Sequence, residues 1–290
     1  MAAYQIFTDA TADYNSGMME GLPPVSVVPM QVEIDGMEYT YGPGGTITVE
    51  EFYQLQRSGK FSTTSQINPT IYFEHFEPCL REGKDILYLC FSSGMSGTIQ
   101  SAGLCMEELR QVYPKQKIIC VDTLCASVGE GFLVREAVRK QAEGLTIDEL
   151  ADWVIKHRLQ ICHWFTVDTF DHLRHGGRVS PAAAMMGTVL QIKPLIHVDE
   201  QGCLQVVGKP RGRKKAIAVQ CSKMEVGWQP DMGDLVVIGH GNNPQAAEQI
   251  RKEIAVRFPE ADIQIADIGP VIGAHTGPDM LALIYWGNNR

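Results

Sequence analysis

The chain has 290 residues, enough for one large domain or two of medium size. Its hydrophobic fraction of 44% and charged fraction of 20% are those of an ordinary globular core, and no apolar run approaches the ~20 residues that span a bilayer. The net charge of −9, from 25 basic and 34 acidic residues, argues against general nucleic-acid binding, which needs a positive field to release counterions.

Taken in chain order, strand-like runs alternate with helix-like ones. Tyr4 to Thr8 reads as a strand, and Val25 to Val32 as another interrupted by Pro29. Thr48, with Glu50 and Glu51 behind it, opens a helix, and Pro69 to Glu82 forms a second. Asp85 to Phe91 is a strand, Gly97 to Tyr113 a helix, and Lys117 to Val121 a strand. Ser127 to Ala142 and Thr146 to Arg158 follow as helices, the latter with Thr146 as cap and Glu149 at its third position. This alternation predicts an α/β unit with a parallel sheet and helices on both faces.

The pattern changes near residue 160. Cys162 to Val167 is a strand, followed by a polar loop from Asp168 and a small-residue helix opened by Ser180-Pro181. Gln191 to Val198 and Cys203 to Lys209 read as a hairpin around Asp199-Glu200-Gln201-Gly202. Arg213 to Met224 and Pro244 to Phe258 are helices, and Leu235 to Gly239, Asp262 to Ile268 and Leu281 to Trp286 are strands. We therefore expect an N-terminal α/β domain over 1–160 and a C-terminal α+β domain over 161–290 with a mostly antiparallel sheet. The absence of a low-complexity linker predicts close packing between them.

The turn Phe91-Ser92-Ser93-Gly94-Met95-Ser96-Gly97-Thr98 joins a buried strand to a helix. Helix N-terminal amides lack internal partners, glycines permit close approach, and hydroxyls add donors. The turn reads as a cradle for a carboxylate or phosphate, or as a Ser/Thr helix cap. Thr63-Thr64-Ser65-Gln66 is a second hydroxyl cluster, with the same capping alternative. Gly176-Gly177 permits a turn that presents Arg178, whose guanidinium suits an anion. His172 and His175 are three apart with no third ligand nearby. The segment from Pro181 to Leu195 is rich in Met and Ala, a composition that suits a pliable apolar ligand or a core. Gly269 to Pro278 reads as a rigid loop presenting His275.

Other sites are excluded or unsupported. Gly94-Met95-Ser96-Gly97-Thr98 has Thr where a nucleophile elbow needs its second Gly. No phosphate-binding loop and no Gly-x-Gly-x-x-Gly after a strand occurs, so the chain shows no nucleotide site of its own. Eight cysteines are present without a Cys-x-x-Cys pair, so neither disulfides nor zinc are expected. Met1 to Asp9 has no basic segment before an apolar one, and a cytoplasmic location is expected. Lys209 to Lys215 holds five cations in seven residues and faces a phosphate, an acidic partner or solvent.

Seven motifs in one order complete the reading. They are Phe7-Thr8-Asp9 with Thr11-Ala12-Asp13, Thr64-Ser65-Gln66, Ser92 to Thr98, Gly176-Gly177-Arg178-Val179-Ser180, Ile192-Lys193-Pro194, Arg213-Lys214-Lys215-Ala216, and Gly273-Ala274-His275-Thr276-Gly277-Pro278. From about residue 4 to 287 the chain resembles the DegV family of bacterial fatty-acid-binding proteins. The resemblance implies one long-chain fatty acid held between two domains. In some members a separate ATP-dependent fatty-acid kinase converts that acid to an acyl phosphate. By motif, Thr64 and Ser93 would hold the carboxylate beside His275, with Gly94 and Ser96 in the same turn. Arg178, Arg211 and Arg213 would face the kinase or the forming acyl phosphate.

No catalytic residue, metal or further cofactor is implied. Ala10 and Ile67-Asn68 depart from the family pattern near the head-group region, and Asp279 places a negative charge near His275. The alternative from another class is a stand-alone serine hydrolase using Ser93 or Ser96 with His275.

Overall fold

The structure is a computed structural model that describes residues 4–179, 191–288 and 290. The first sheet joins β1 (Tyr4–Asp9), β2 (Ser26–Val28), β6 (Asp85–Cys90) and β7 (Ile118–Asp122) in the order β2-β1-β6-β7, all parallel. Alternate side chains point to opposite faces of a strand. In β6, Ile86, Tyr88 and Cys90 enter the core beneath α2 (Pro69–Arg81) and α3 (Thr98–Val112), while Leu87 and Leu89 enter the core beneath α4 (Ser127–Ala142) and α5 (Ile147–His157). The doubly covered parallel sheet expected from the alternation is present.

Pro29 does more than interrupt a strand. It cannot donate to a ladder, and the chain changes sheets there. β3 (Met30–Ile34) leaves for a three-stranded antiparallel sheet with β4 (Met37–Tyr41) and β5 (Ser62–Thr64). The β3–β4 turn is Asp35-Gly36, both at positive φ, which fits the twist of a tight hairpin. This small sheet was absent from the sequence reading. α1 (Val49–Arg57) between β4 and β5 is closed by a reciprocal box: the Glu51 amide donates to the Thr48 hydroxyl and the Thr48 amide to the Glu51 carboxylate.

The second large sheet contains β8 (Ile161–Thr166), β9 (Leu195–Val198), β10 (Leu204–Gly208), β11 (Leu235–His240), β12 (Asp262–Asp267) and β13 (Leu281–Trp286). Its order is β10-β9-β8-β13-β11-β12, antiparallel except for β11–β12. α7 (Arg213–Gly227) and α8 (Pro244–Arg257) pack with one face of it, and α4 covers the other. One apolar cluster runs from Leu87 and Leu89 through α4 to Phe165, Ala282 and Ile284.

Two segments read as loops contain helices. Asp168 to Val179 includes α6 (Asp171–His175). Gly269 to Pro278 includes α9 (Pro270–Thr276), which starts with Pro at its first turn and ends at Gly277 with φ 74°. Proline at the start and glycine past the end are ordinary helix punctuation. The helix expected from Ser180-Pro181 lies outside the described residues. Among the described residues, no helix is long and apolar enough to cross a membrane.

Candidate functional site

A cavity of about 210 Å³ opens where the three sheets, α4, α6 and α9 meet. Its floor is the α4-facing side of the second large sheet. Leu204 pairs with Val198, His163 with Ile284, and the β8–β9 register sets Val198 opposite His163. All four line the cavity. They form one row across four strands, roughly 14 Å over three inter-strand spacings. Phe165, Ala282 and Met280 extend the floor, and Phe91, Met95 and Val271 contribute other apolar wall.

The polar lining includes Thr64 from the end of β5, Ser96 from the turn before α3, Arg178 from beyond α6, and His275 from α9. His275 Nε2 lies 2.8 Å from the Thr64 hydroxyl. Its Nδ1 is buried without a hydrogen-bond partner among the described residues. Burial, aided by the charge of Arg178 and by His175, lowers its pKa from 6.5 to about 4, so the imidazole is neutral. The two glycines before Arg178 serve different needs. A Cβ on Gly176 would lie 2.1 Å from His275 Nδ1, so only glycine leaves the ring its place, whereas Gly177 supplies the positive φ of 68°. Arg178 is anchored by Nε to Met95 O at 3.3 Å and Nη1 to Gly176 O at 2.5 Å.

The hydroxyl turn is used largely by the protein itself. Ser92 donates its hydroxyl to Gly202 O, and its own hydroxyl accepts from the Gly94 amide. The amides of Met95 and Ser96 donate to Ser92 O, and the Ser93 amide donates to the Asp122 carboxylate. Ser96 takes the Thr98 amide and pairs with its hydroxyl at 2.8 Å. Much of the expected anion cradle is thus a satisfied helix start. Ser93 is exposed and, like Gly94, lies outside the cavity lining. Gly94 lines an open depression beside it with Met95, Arg178 and Cys203.

Arg211 and Arg213 also lie off the cavity. Arg211 is exposed. Arg213 is half-buried and holds Asp168 at 2.9 Å and Asp279 O at 2.7 Å. Asp279 does not act on His275 as expected: its carboxylate pairs with Arg57 at 2.9 Å and bonds Asn243. Burial raises its pKa, but those partners outweigh it and hold the group below the usual range. His172 and His175 both pack against Phe61, ring centroids 4.9 Å away. Asn68 caps α2 through the Thr70 amide, while Ile67 and Ala10 are core residues.

The sequence reading missed a buried acidic pair behind the Thr11 side of the cavity. The Thr11 hydroxyl, which lines it, is 2.5 Å from Asp9 Oδ1 and 2.7 Å from Glu130 Oε2. One hydroxyl hydrogen cannot serve both oxygens. Burial raises both acids, but Asp9 already accepts from the Thr11 amide, the Tyr88 hydroxyl and the Phe91 amide, so its hydrogen bonds favour the ionised form more than those of Glu130 do. Glu130 then keeps its proton and donates to Thr11. Burial, reinforced by the Asp9 charge, pushes Glu130 well above the usual carboxylate range. Asp13 accepts from the Ser127 hydroxyl at 2.7 Å, and burial raises it to about 7. Asp9 and Asp13 stood in the first motif. Glu130 had only the oddity of an acid within an apolar helix as its signal.

Comparisons with known proteins point to one family and fold. A family model described as an uncharacterised protein of the DegV family matches residues 3–288. The DegV domain-containing protein CPE0026 of Clostridium perfringens is 37% identical over 290 residues, covering 100% of this chain and 99% of its own. The fold is similar to that of a fatty-acid-binding DegV family protein from Thermus thermophilus, with TM-score 0.85, 28% identity and coverage of 98% and 99%. It is also similar to the Streptococcus pneumoniae fatty acid kinase B3 protein loaded with linoleic acid, with TM-score 0.87, 21% identity and coverage of 99% and 100%.

Proposed function

The chain belongs to the DegV family, and on that footing we propose that it is a carrier that holds one long-chain fatty acid and presents its carboxylate to a separate ATP-dependent fatty-acid kinase. The observation that carries the reading is an apolar cavity with a buried, neutral His275 at its polar side, one ring nitrogen unpartnered among the described residues, and Arg178 close by. A carboxylate needs hydrogen-bond donors and a compensating charge when it leaves water. Thr64, Ser96, His275 and Arg178 supply both. The tail lies along the Leu204–Ile284 row, where each buried methylene contributes ~0.8 kcal/mol. The Thermus relative, whose fatty-acid binding is its stated property, supports the same ligand class.

Presentation to a kinase rests on the family resemblance and on the cations outside the cavity. Arg211, exposed, suits a partner contact. Arg213, tied to Asp168 and Asp279, acts mainly by holding the base of α7. The hydrolase alternative on Ser93 or Ser96 with His275 is less favoured: Ser93 lies outside the cavity lining, and the hydroxyl beside His275 Nε2 is that of Thr64, not of either serine.

The test is direct. Protein purified under native conditions should release up to one fatty acid per chain on denaturation, detected by mass spectrometry, or take up added palmitate or oleate. Failure of both removes the carrier reading. With a fatty-acid kinase and ATP, the loaded protein should yield acyl phosphate. Charge reversal at Arg211 should slow that step, and added salt should shrink the defect.

A further inference from the structure

The floor row Leu204–Val198–His163–Ile284 is apolar except for its third member. His163 is buried, and nothing in the proposed carboxylate site uses it. Its Nδ1 sits 2.8 Å from Ile161 O, a carbonyl that can only accept, so Nδ1 carries the hydrogen and Nε2 the lone pair. Nε2 faces the start of α4, with the Ala126 amide at 3.5 Å. Behind the ring stands Gly129, where a Cβ would lie 2.0 Å from Nε2 and 2.3 Å from Cδ2. The imidazole therefore has a hydrogen bond on one side, helix backbone behind it and the cavity before it. It cannot recede.

We propose that His163, held forward by Gly129, is a specificity-determining residue that fixes the cross-section of the cavity midway along its floor and so discriminates between straight and bent acyl chains. The inference rests on the fatty-acid reading above. A straight saturated chain needs a narrow track. A cis double bond bends the chain near its middle and demands width where the His163 ring stands. Removing the ring widens the track. Adding a methyl at Gly129 narrows it, because the methyl crowds the ring toward the cavity that the ring lines.

The experiment measures stearate and oleate affinities for delipidated wild type, His163→Ala, Gly129→Ala and the double variant, with folding checked by circular dichroism. His163→Ala should raise the oleate-to-stearate affinity ratio by about tenfold, the scale at which apolar pockets discriminate small differences in fit. Gly129→Ala should lower it, and the double variant should return toward or above the wild-type ratio because the displaced ring is gone. Should Gly129→Ala not fold, His163→Phe, which fills more of the same space, should lower the ratio in its place. Equal loss of both acids in every variant, or a ratio that does not move, overturns the proposal while leaving the carrier reading intact. Wild-type protein that binds neither acid overturns both.

Discussion

His275 is neutral because its surroundings penalise the cation, and that preference is a stability term. Its folded pKa of about 4 lies below its ordinary 6.5, so its contribution is fully present above pH 6.5 and is lost as pH falls toward 4. The loss is on the order of 3 kcal/mol. Urea unfolding of lipid-free protein between pH 7 and 4 should show it, and His275→Gln should flatten that part of the profile. Asp13 behaves oppositely. Raised from 3.8 to about 7, it contributes stability that is present below pH 3.8 and declines as pH rises through 7, and Asp13→Asn should remove that decline. At the same scale, Thr64→Val deletes the hydroxyl beside His275. It should weaken fatty-acid binding by about ten- to a hundredfold, the worth of a hydrogen bond to a charged acceptor. A titration with labelled fatty acid in which Thr64→Val matches wild type would place the carboxylate elsewhere. Thr64, Ser96, Arg178 and His275 were legible as chemistry-bearing residues, and they do converge on one cavity. That Ser93 would point outside it was not legible, since which hydroxyl of a turn faces inward depends on a backbone path no pattern encodes.

Elements with reciprocal signals at their ends were the easiest to read. α1 and α5 each carry Thr and Glu three apart, and both form the full box. α9 had equally good punctuation in Pro270 and Gly277, but its seven residues are too few to show helical periodicity. The β3–β4 hairpin was announced by Asp35-Gly36, yet Pro29 directed attention to a single broken strand. A sheet switch depends on where the next strand finds a partner, which is tertiary information. The contact between α6 and α9 offers a test at this scale. Gly176→Ala would drive a methyl into the His275 ring. It should weaken fatty-acid binding through displacement of that ring, with far-UV circular dichroism unchanged. Normal affinity in the alanine variant would mean that the ring position is not set from this side.

For the molecule as a whole, the boundary proposed near residue 160 separates sheets but not cores. Eleven of the 16 residues of α4 are buried, because the helix has a sheet on either side of it. That all-round burial erased the amphipathic stripe from which its neighbours could have been read. Residues 1–160 expressed alone would expose one side of α4, so the fragment should not unfold cooperatively, whereas the intact chain should show a single transition by circular dichroism and by tryptophan fluorescence.

The single hydrogen of the Thr11 hydroxyl also alters the electrical account of the protein. The formal charge of −9 assumes that every carboxyl is ionised, but burial favours the protonated form of Glu130 and raises Asp13 to about 7, so the folded chain is less negative than that count. Unfolding returns both groups to water and to their ordinary acidity. Denaturation at pH 7 then releases protons from these groups, so calorimetric unfolding enthalpies measured in phosphate and in an amine buffer should differ by the number released times the difference in the two buffers' ionisation enthalpies. Replacing Glu130 with Gln, which keeps a hydrogen-bond donor without the exchangeable charge, should reduce the difference by one proton's worth.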